Sequence, residues 1–152
     1  MRKLSRDDFN EMYEIREVLE GMAARLASTR IPECEIDRLS EQMDSCKRDL
    51  ARGQVNSFLE FDETLHTLIL DHCGNKRLCE TLNSIKDLVS YFRTEVAMDM
   101  SRADDAVEEH GRIIAALRLR DPAKAEEAAR DHIRITHERT LRDIDFTSLE
   151  RG

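Results

Sequence analysis

Apolar residues recur three or four positions apart along most of this chain, the period of a helix with one buried side. From about Asp7 to Ala27, Phe9, Met12, Leu19, Ala23 and Leu26 keep that spacing once position 16 is counted. Ser5 or Asp7 suits the N-cap of this helix. The break Thr29-Arg30-Ile31-Pro32 ends it, and Pro32 fits the first turn of the next. A second helix is predicted over about Glu33–Arg52, stopped by Gly53 as a left-handed C′ residue. A third spans about Asn56–Cys73 and ends at Gly74-Asn75. A fourth runs over about Arg77–Met98, with the stripe Leu78, Leu82, Ile85, Val89, Phe92 and Val96. A fifth covers about Arg102–Leu119. Asp121-Pro122 then gives an N-cap with proline at N1 for a sixth helix to about Asp143, and the tail from Asp145 reads as frayed. Short connections favour antiparallel neighbours. The pattern predicts an all-α antiparallel bundle of about six helices, one domain over 1–152 with its core over about 7–143.

Composition narrows the function classes. Five glycines and two prolines in 152 residues leave little room for the turns of an all-β sandwich or barrel. A formal net charge of −8 argues against this chain gripping nucleic acid unaided, because phosphate binding needs clustered Lys and Arg. No apolar run approaches the roughly 20 residues of a membrane span, and the N-terminus lacks a signal-peptide apolar region. Cys34, Cys46, Cys73 and Cys79 form no CxxC pair and no dense framework. A reduced, cytoplasmic protein away from membranes is the expectation.

The polar residues that interrupt the stripes carry the candidate chemistry. Asp62 and His66 lie among Phe58, Phe61, Leu65 and Ile69, one helical turn apart on the same face. A carboxylate and an imidazole turned inward need compensation, because burying either unpaired is costly. An Asp–His hydrogen bond supplies it, and so does a metal. His110 falls on the stripe Val107, Ile114, Leu117, and His132 on the stripe Ala125, Ala128, Ala129, Ile135. Each is 11 residues from Asp121, so an antiparallel hairpin sets them level, about 16 Å from the turn at 1.5 Å rise per residue. Asp62, His66, His110 and His132 together make a three-His, one-carboxylate set from three helices. Those donors suit Zn, Ni, Mn or Fe as divalent ions, and a six-coordinate ion keeps positions open.

Arg16 occupies a stripe position between Met12 and Leu19, where a guanidinium is expensive without a partner. It either pairs with a bundle carboxylate such as Asp87 or Glu20, or serves as a fork for an anionic ligand. Arg93, flanking the helix-four stripe, is a second candidate of that kind. Asn83 is a third, placed across from His66 by the turn at Gly74-Asn75. His72 and His137 read as exposed or helix-end residues, and Cys73 and Cys79 as small apolar fillers.

The run Glu14-Ile15-Arg16-Glu17-Val18-Leu19-Glu20-Gly21-Met22-Ala23-Ala24-Arg25-Leu26-Ala27 resembles the opening helix of FCD domains. These are the C-terminal ligand-binding domains of FadR-type regulators in the GntR transcription-factor family. Phe61-Asp62-Glu63-Thr64-Leu65-His66 followed by Cys73-Gly74-Asn75 is similar to the family's central motif. Glu109-His110-Gly111-Arg112-Ile113-Ile114-Ala115-Ala116-Leu117 and Asp131-His132-Ile133 resemble its last two motifs. The resemblance spans about Asp7–Asp143 and implies a six- or seven-helix bundle that works as a homodimer. It further implies that Asp62, His66, His110 and His132 ligate a divalent metal. A small organic acid would complete its coordination, held by pocket residues such as Arg16, Asn83 and Arg93. Such regulators read DNA through a winged-helix head that precedes the domain, and these 152 residues contain no such head. The expectation is therefore a sensor and not an enzyme. A metalloenzyme acting on small carboxylates, or a bundle locked by a purely structural ion, are the alternatives.

Overall fold

Ser5 and Asp8 start the first helix reciprocally: the Ser5 hydroxyl accepts from the Asp8 amide at 3.1 Å, and the Asp8 carboxylate accepts from the Ser5 amide at 2.8 Å. Helix α1 then runs over Arg6–Ala27, followed by α2 (Glu33–Ala51), α3 (Asn56–His72), α4 (Lys76–Glu95), α5 (Ala103–Arg118) and α6 (Pro122–Asp143). The computed structural model describes residues 5–95, 102–144 and 146, with side chains over the same residues except 89–95. Val96 of the helix-four stripe and Met98 at that helix's expected end lie outside the described residues, as does the tail beyond residue 146. Six helices and no strand are present among the described residues, as the periodicity predicts.

The breaks are chemical. Gly53 and Gly74 take φ of +75° and +67°, the left-handed region that ends α2 and α3. Asp121 caps α6 by accepting from the Lys124 amide at 3.1 Å, with Pro122 behind it. Pro32 is the N-cap of α2 itself, one position ahead of the first-turn place its sequence context suggests.

Cross-helix contacts fix the directions. Along α1, Asn10, Glu17 and Arg25 meet His137, Arg130 and Glu126 of α6 in descending order, so the two helices are antiparallel. Along α2, Asp37 and Lys47 meet Arg118 and Glu108 of α5, again antiparallel. Contacts of Glu20 with His66, and of Arg30 with the Cys73 carbonyl, show that α1 and α3 run parallel. Helix α3 is therefore central, packed on α1, α2 and α5. Its Phe61 and Leu65 are fully buried with Leu82, Val107, Ile113 and Leu117, while Ala23, Ala24 and Ala27 let α1 approach closely. A satellite cluster of Phe9, Met12, Tyr13, Ile133 and Ile144 closes one end. Among the described residues, the buried polar set is Arg16, Glu20, Ser28, His66, Glu109, His110 and His132. All but Ser28 converge on one place in the bundle.

Candidate metal centre

Helices α3, α5 and α6 deliver the four sequence-predicted donors to a single point. One ligand atom from each of Asp62, His66, His110 and His132 lies within 4.8 Å of all the others. His110 Nε2 is 3.1 Å from Asp62 Oδ1 and 3.3 Å from His132 Nε2, and His66 Nε2 is 3.6 Å from Asp62 Oδ1. The i, i+4 spacing aligns Asp62 with His66, and the α5–α6 hairpin brings His110 and His132 level, as their equal distances from Asp121 require.

Two carboxylates hold the imidazoles from behind. Glu20 Oε2 faces His66 Nδ1 at 3.2 Å, and Glu109 Oε2 faces His132 Nδ1 at 2.7 Å. An ionised carboxylate only accepts, so both Nδ1 atoms are donors. His110 is positioned differently. It lies parallel to Phe58 at 6.0 Å and edge-on to Phe61 at 5.4 Å, and its Nδ1 has no hydrogen-bond partner.

The charges are balanced across this chain of contacts. Burial opposes the charge on His66, but Glu20 and Asp62 outweigh it and raise its pKa to about 9. Burial drives His132 the other way, down to about 4, despite the Glu109 hydrogen bond. Burial would raise Asp62, yet hydrogen bonds from His110 and His66 hold it well below the usual carboxylate range. Glu20 is likewise held low against burial by His66 and then Arg16, with Lys86 of α4 adding to the pull. Glu109 is lowered by hydrogen bonds from His132 and Arg139 that overcome its desolvation.

These donors fit a divalent ion. Two ligands each about 2.1 Å from one metal stand roughly 3.0–3.4 Å apart when adjacent, and His110 Nε2 already stands 3.1 Å from Asp62 Oδ1 and 3.3 Å from His132 Nε2. Nδ1 engagement by a carboxylate is also what orients a ligating imidazole.

The other candidates divide. Arg16 is buried, and its Nε donates to Glu20 Oε1 at 3.1 Å, so of the two carboxylates open to it the partner is Glu20 and not the exposed Asp87. Its guanidinium also lies over the Tyr13 ring at 5.4 Å. Asn83 is exposed on α4. Arg93 lies outside the residues whose side chains are described. His137, read as exposed or helix-end, is half-buried: it stacks on Tyr13 at 5.0 Å and bonds to Asn10 Oδ1 at 2.9 Å. His72 is a helix-end residue, the last of α3, half-buried and tied to the Leu68 carbonyl. The stripe pattern alone does not single out Glu109 or Arg139, which meet behind His132. The signal for Glu109 is its place on the buried ridge Ala106, Glu109, Ile113, Ala116, the same criterion that picks out Arg16.

An all-α bundle with three imidazoles and a carboxylate gathered at its centre is the class that this fold and site define. The family model described as FCD domain matches residues 11–135, and the chain belongs to that family. Among relatives, the HTH-type transcriptional regulator YdhC of Bacillus subtilis is 27% identical over 131 residues, covering 86% of this chain and 57% of YdhC. The Glc operon transcriptional activator of Escherichia coli K12 is 29% identical over 149 residues, covering 90% of this chain and 56% of the activator. The chain thus spans less than two thirds of either relative. In three dimensions it is similar to the metal-free FCD domain of TM0439, with a TM-score of 0.71, 21% identity, and 89% and 92% of the two chains covered. Escherichia coli McbR/YncC superposes with a TM-score of 0.77 at 16% identity, over 91% of this chain and 66% of McbR/YncC. At such identities the likeness is one of fold.

Proposed function

We propose that this domain is the effector-sensing part of a GntR-type transcriptional regulator, that it holds a divalent transition metal, and that a small organic acid binds there. Asp62, His66, His110 and His132 would hold the ion. The observation that carries this reading is the convergence of four donors whose two best-supported imidazoles are already turned by Glu20 and Glu109. When bound, such an ion offers a Lewis-acidic centre, and six-coordination leaves two positions for oxygen donors of an effector. The chain's own residues do the rest. Glu20 and Glu109 fix tautomer and ring orientation, and Phe58 and Phe61 pack His110 in place. Arg16 and Lys86 put positive charge beside Glu20, which favours an anionic effector, and Arg16 has four N–H groups besides the one given to Glu20. Asn83 and Arg93 on α4 are the further effector contacts proposed.

The relatives' names support a regulatory and not an enzymatic role. Effector binding can bias DNA readout only if it favours one arrangement of the whole regulator over another. A homodimer whose helix-turn-helix parts read DNA is the arrangement proposed. Metal content is the direct test. Purified wild type, equilibrated with Zn²⁺ or Ni²⁺ and dialysed, is expected to retain one ion per chain by elemental mass spectrometry, and Asp62→Asn and His132→Ala to lose it. A wild type that retains no metal overturns the site. A loaded domain whose melting temperature ignores citrate-like and sugar acids at millimolar concentration would leave the ion as a structural lock.

A further inference from the structure

The junction between α3 and α4 holds two thiols in contact, and the proposed sensing site uses neither. Cys73 Sγ and Cys79 Sγ are 3.2 Å apart, neither in a disulfide. The turn between them is heavily tied. The Cys73 amide donates to the Leu70 carbonyl, and the Cys79 amide to the Asn75 carbonyl at 3.1 Å. Asn75 Oδ1 accepts from the Leu78 amide at 3.1 Å, and Arg30 donates to the Cys73 carbonyl at 2.9 Å from the α1–α2 connection. Gly74 supplies the left-handed residue. The ordering cost of bringing the sulfurs together has been met by folding, which gives one thiol a high effective concentration towards the other. Access is graded: Cys73 is fully buried, while Cys79 is only half-buried.

We infer that Cys73 and Cys79 are a site of reversible thiol–disulfide modification, with a low-molecular-weight disulfide such as oxidised glutathione as oxidant. Cys79, deprotonated, attacks a sulfur of the small disulfide; that S–S bond breaks and one small thiol leaves, taking up the proton. The deprotonated Cys73 then attacks Cys79 Sγ, forming the internal disulfide and releasing the second small thiol with the second proton. The two cysteines lose two electrons and the small disulfide gains them. In the reduced form Cys79 Sγ donates to the Leu70 carbonyl at 3.4 Å, and burial with Cys73 beside it pushes the thiol up to about 11. Reduced Cys79 therefore draws little stabilisation from a thiolate, which favours the disulfide at equilibrium and makes its attack slow near neutral pH.

Lys76 and Arg77 lie between the two cysteines, so trypsin separates them unless a disulfide joins the fragments. The folded protein in a Cys34→Ser background, which removes the exposed thiol, would be equilibrated with oxidised glutathione, alkylated and digested. The expected product is the joined Cys73–Cys79 peptide pair, at least about tenfold over glutathione adducts, abolished in Cys79→Ser and reversed by dithiothreitol. It should be accompanied by a melting temperature that rises on oxidation and falls back on reduction. A stable glutathione adduct on Cys79 with Cys73 still alkylatable overturns the proposal. So does a crosslink that forms only after denaturation.

Discussion

His66 stands between two carboxylates, and that position decides who carries the proton at the centre of the bundle. With its pKa raised to about 9 by Glu20 and Asp62, against its burial, the metal-free imidazole is charged near neutrality. A ligating His has to be neutral. Metal loading at about pH 7.5 is therefore expected to release about one proton. Calorimetric titrations in buffers of different ionisation enthalpy would read it, and a heat independent of buffer would contradict it. In the metal-free protein the signs are opposed. The His66 contribution is complete below its unfolded value and fades as pH rises through about 9. His132, lowered to about 4, costs stability as pH falls below the unfolded histidine range. The low-lying Asp62, Glu20 and Glu109 add to the acid loss. Thermal melts of chelator-treated protein should peak between those limits and decline on both sides. Replacing Glu20 or Glu109 by Gln keeps the shape of the side chain but removes the anionic acceptor, and is expected to weaken metal affinity about 10–100-fold. Competition with a chromogenic chelator measures it, and unchanged affinity in both variants would make the two carboxylates fold elements only.

Between elements, a few positions decide how helices meet. Gly74 has φ of +67°, and a Cβ added there would stand 1.6 Å from Arg30 Nη1. Gly74→Ala thus pays for a left-handed alanine and displaces the guanidinium that ties α1–α2 to α3–α4. Chemical denaturation should show a loss of about 1–2 kcal/mol or more; an unchanged midpoint would mean the turn rearranges freely. How much of the site is legible in the sequence also becomes clear at this scale. Equal spacing of His110 and His132 from Asp121 is enough to level them, and i, i+4 is enough to pair Asp62 with His66. Glu109 is hidden by having His110 as its neighbour in sequence, on an adjacent ridge of the same helix. Arg16 is visible as an anomaly, but the choice among its partners depends on which helix packs beside α1.

Across the whole molecule, binding of an ion by the folded chain alone shifts stability by mass action. At a free metal concentration of about 100 times Kd the gain is about 2.7 kcal/mol. For a domain of this size that corresponds to a rise in melting temperature of roughly 5–10 °C. Scanning calorimetry with Zn²⁺ and then with excess chelator should show the rise and its reversal, and Asp62→Asn should show neither. A metal-insensitive wild type would mean that the four donors close on one another by hydrogen bonds alone.

Helical periodicity, the Asp121-Pro122 start, the left-handed glycines and the four inward polar residues are properties of local sequence, because a helix turns every side chain to a direction fixed by its spacing. Six helices and the donor set follow from that geometry without knowledge of the neighbours. Partnership between helices is different, since the sequence separations involved are long and spacing carries no information across them. Only the packed bundle sets α1 parallel to α3, which puts Glu20 behind His66 and gives Arg16 its carboxylate. Only the packed bundle places Glu109 between His132 and Arg139 and packs His137 on Tyr13. Each of these is a contact between surfaces whose meeting depends on tertiary burial, the one term that no local spacing contains.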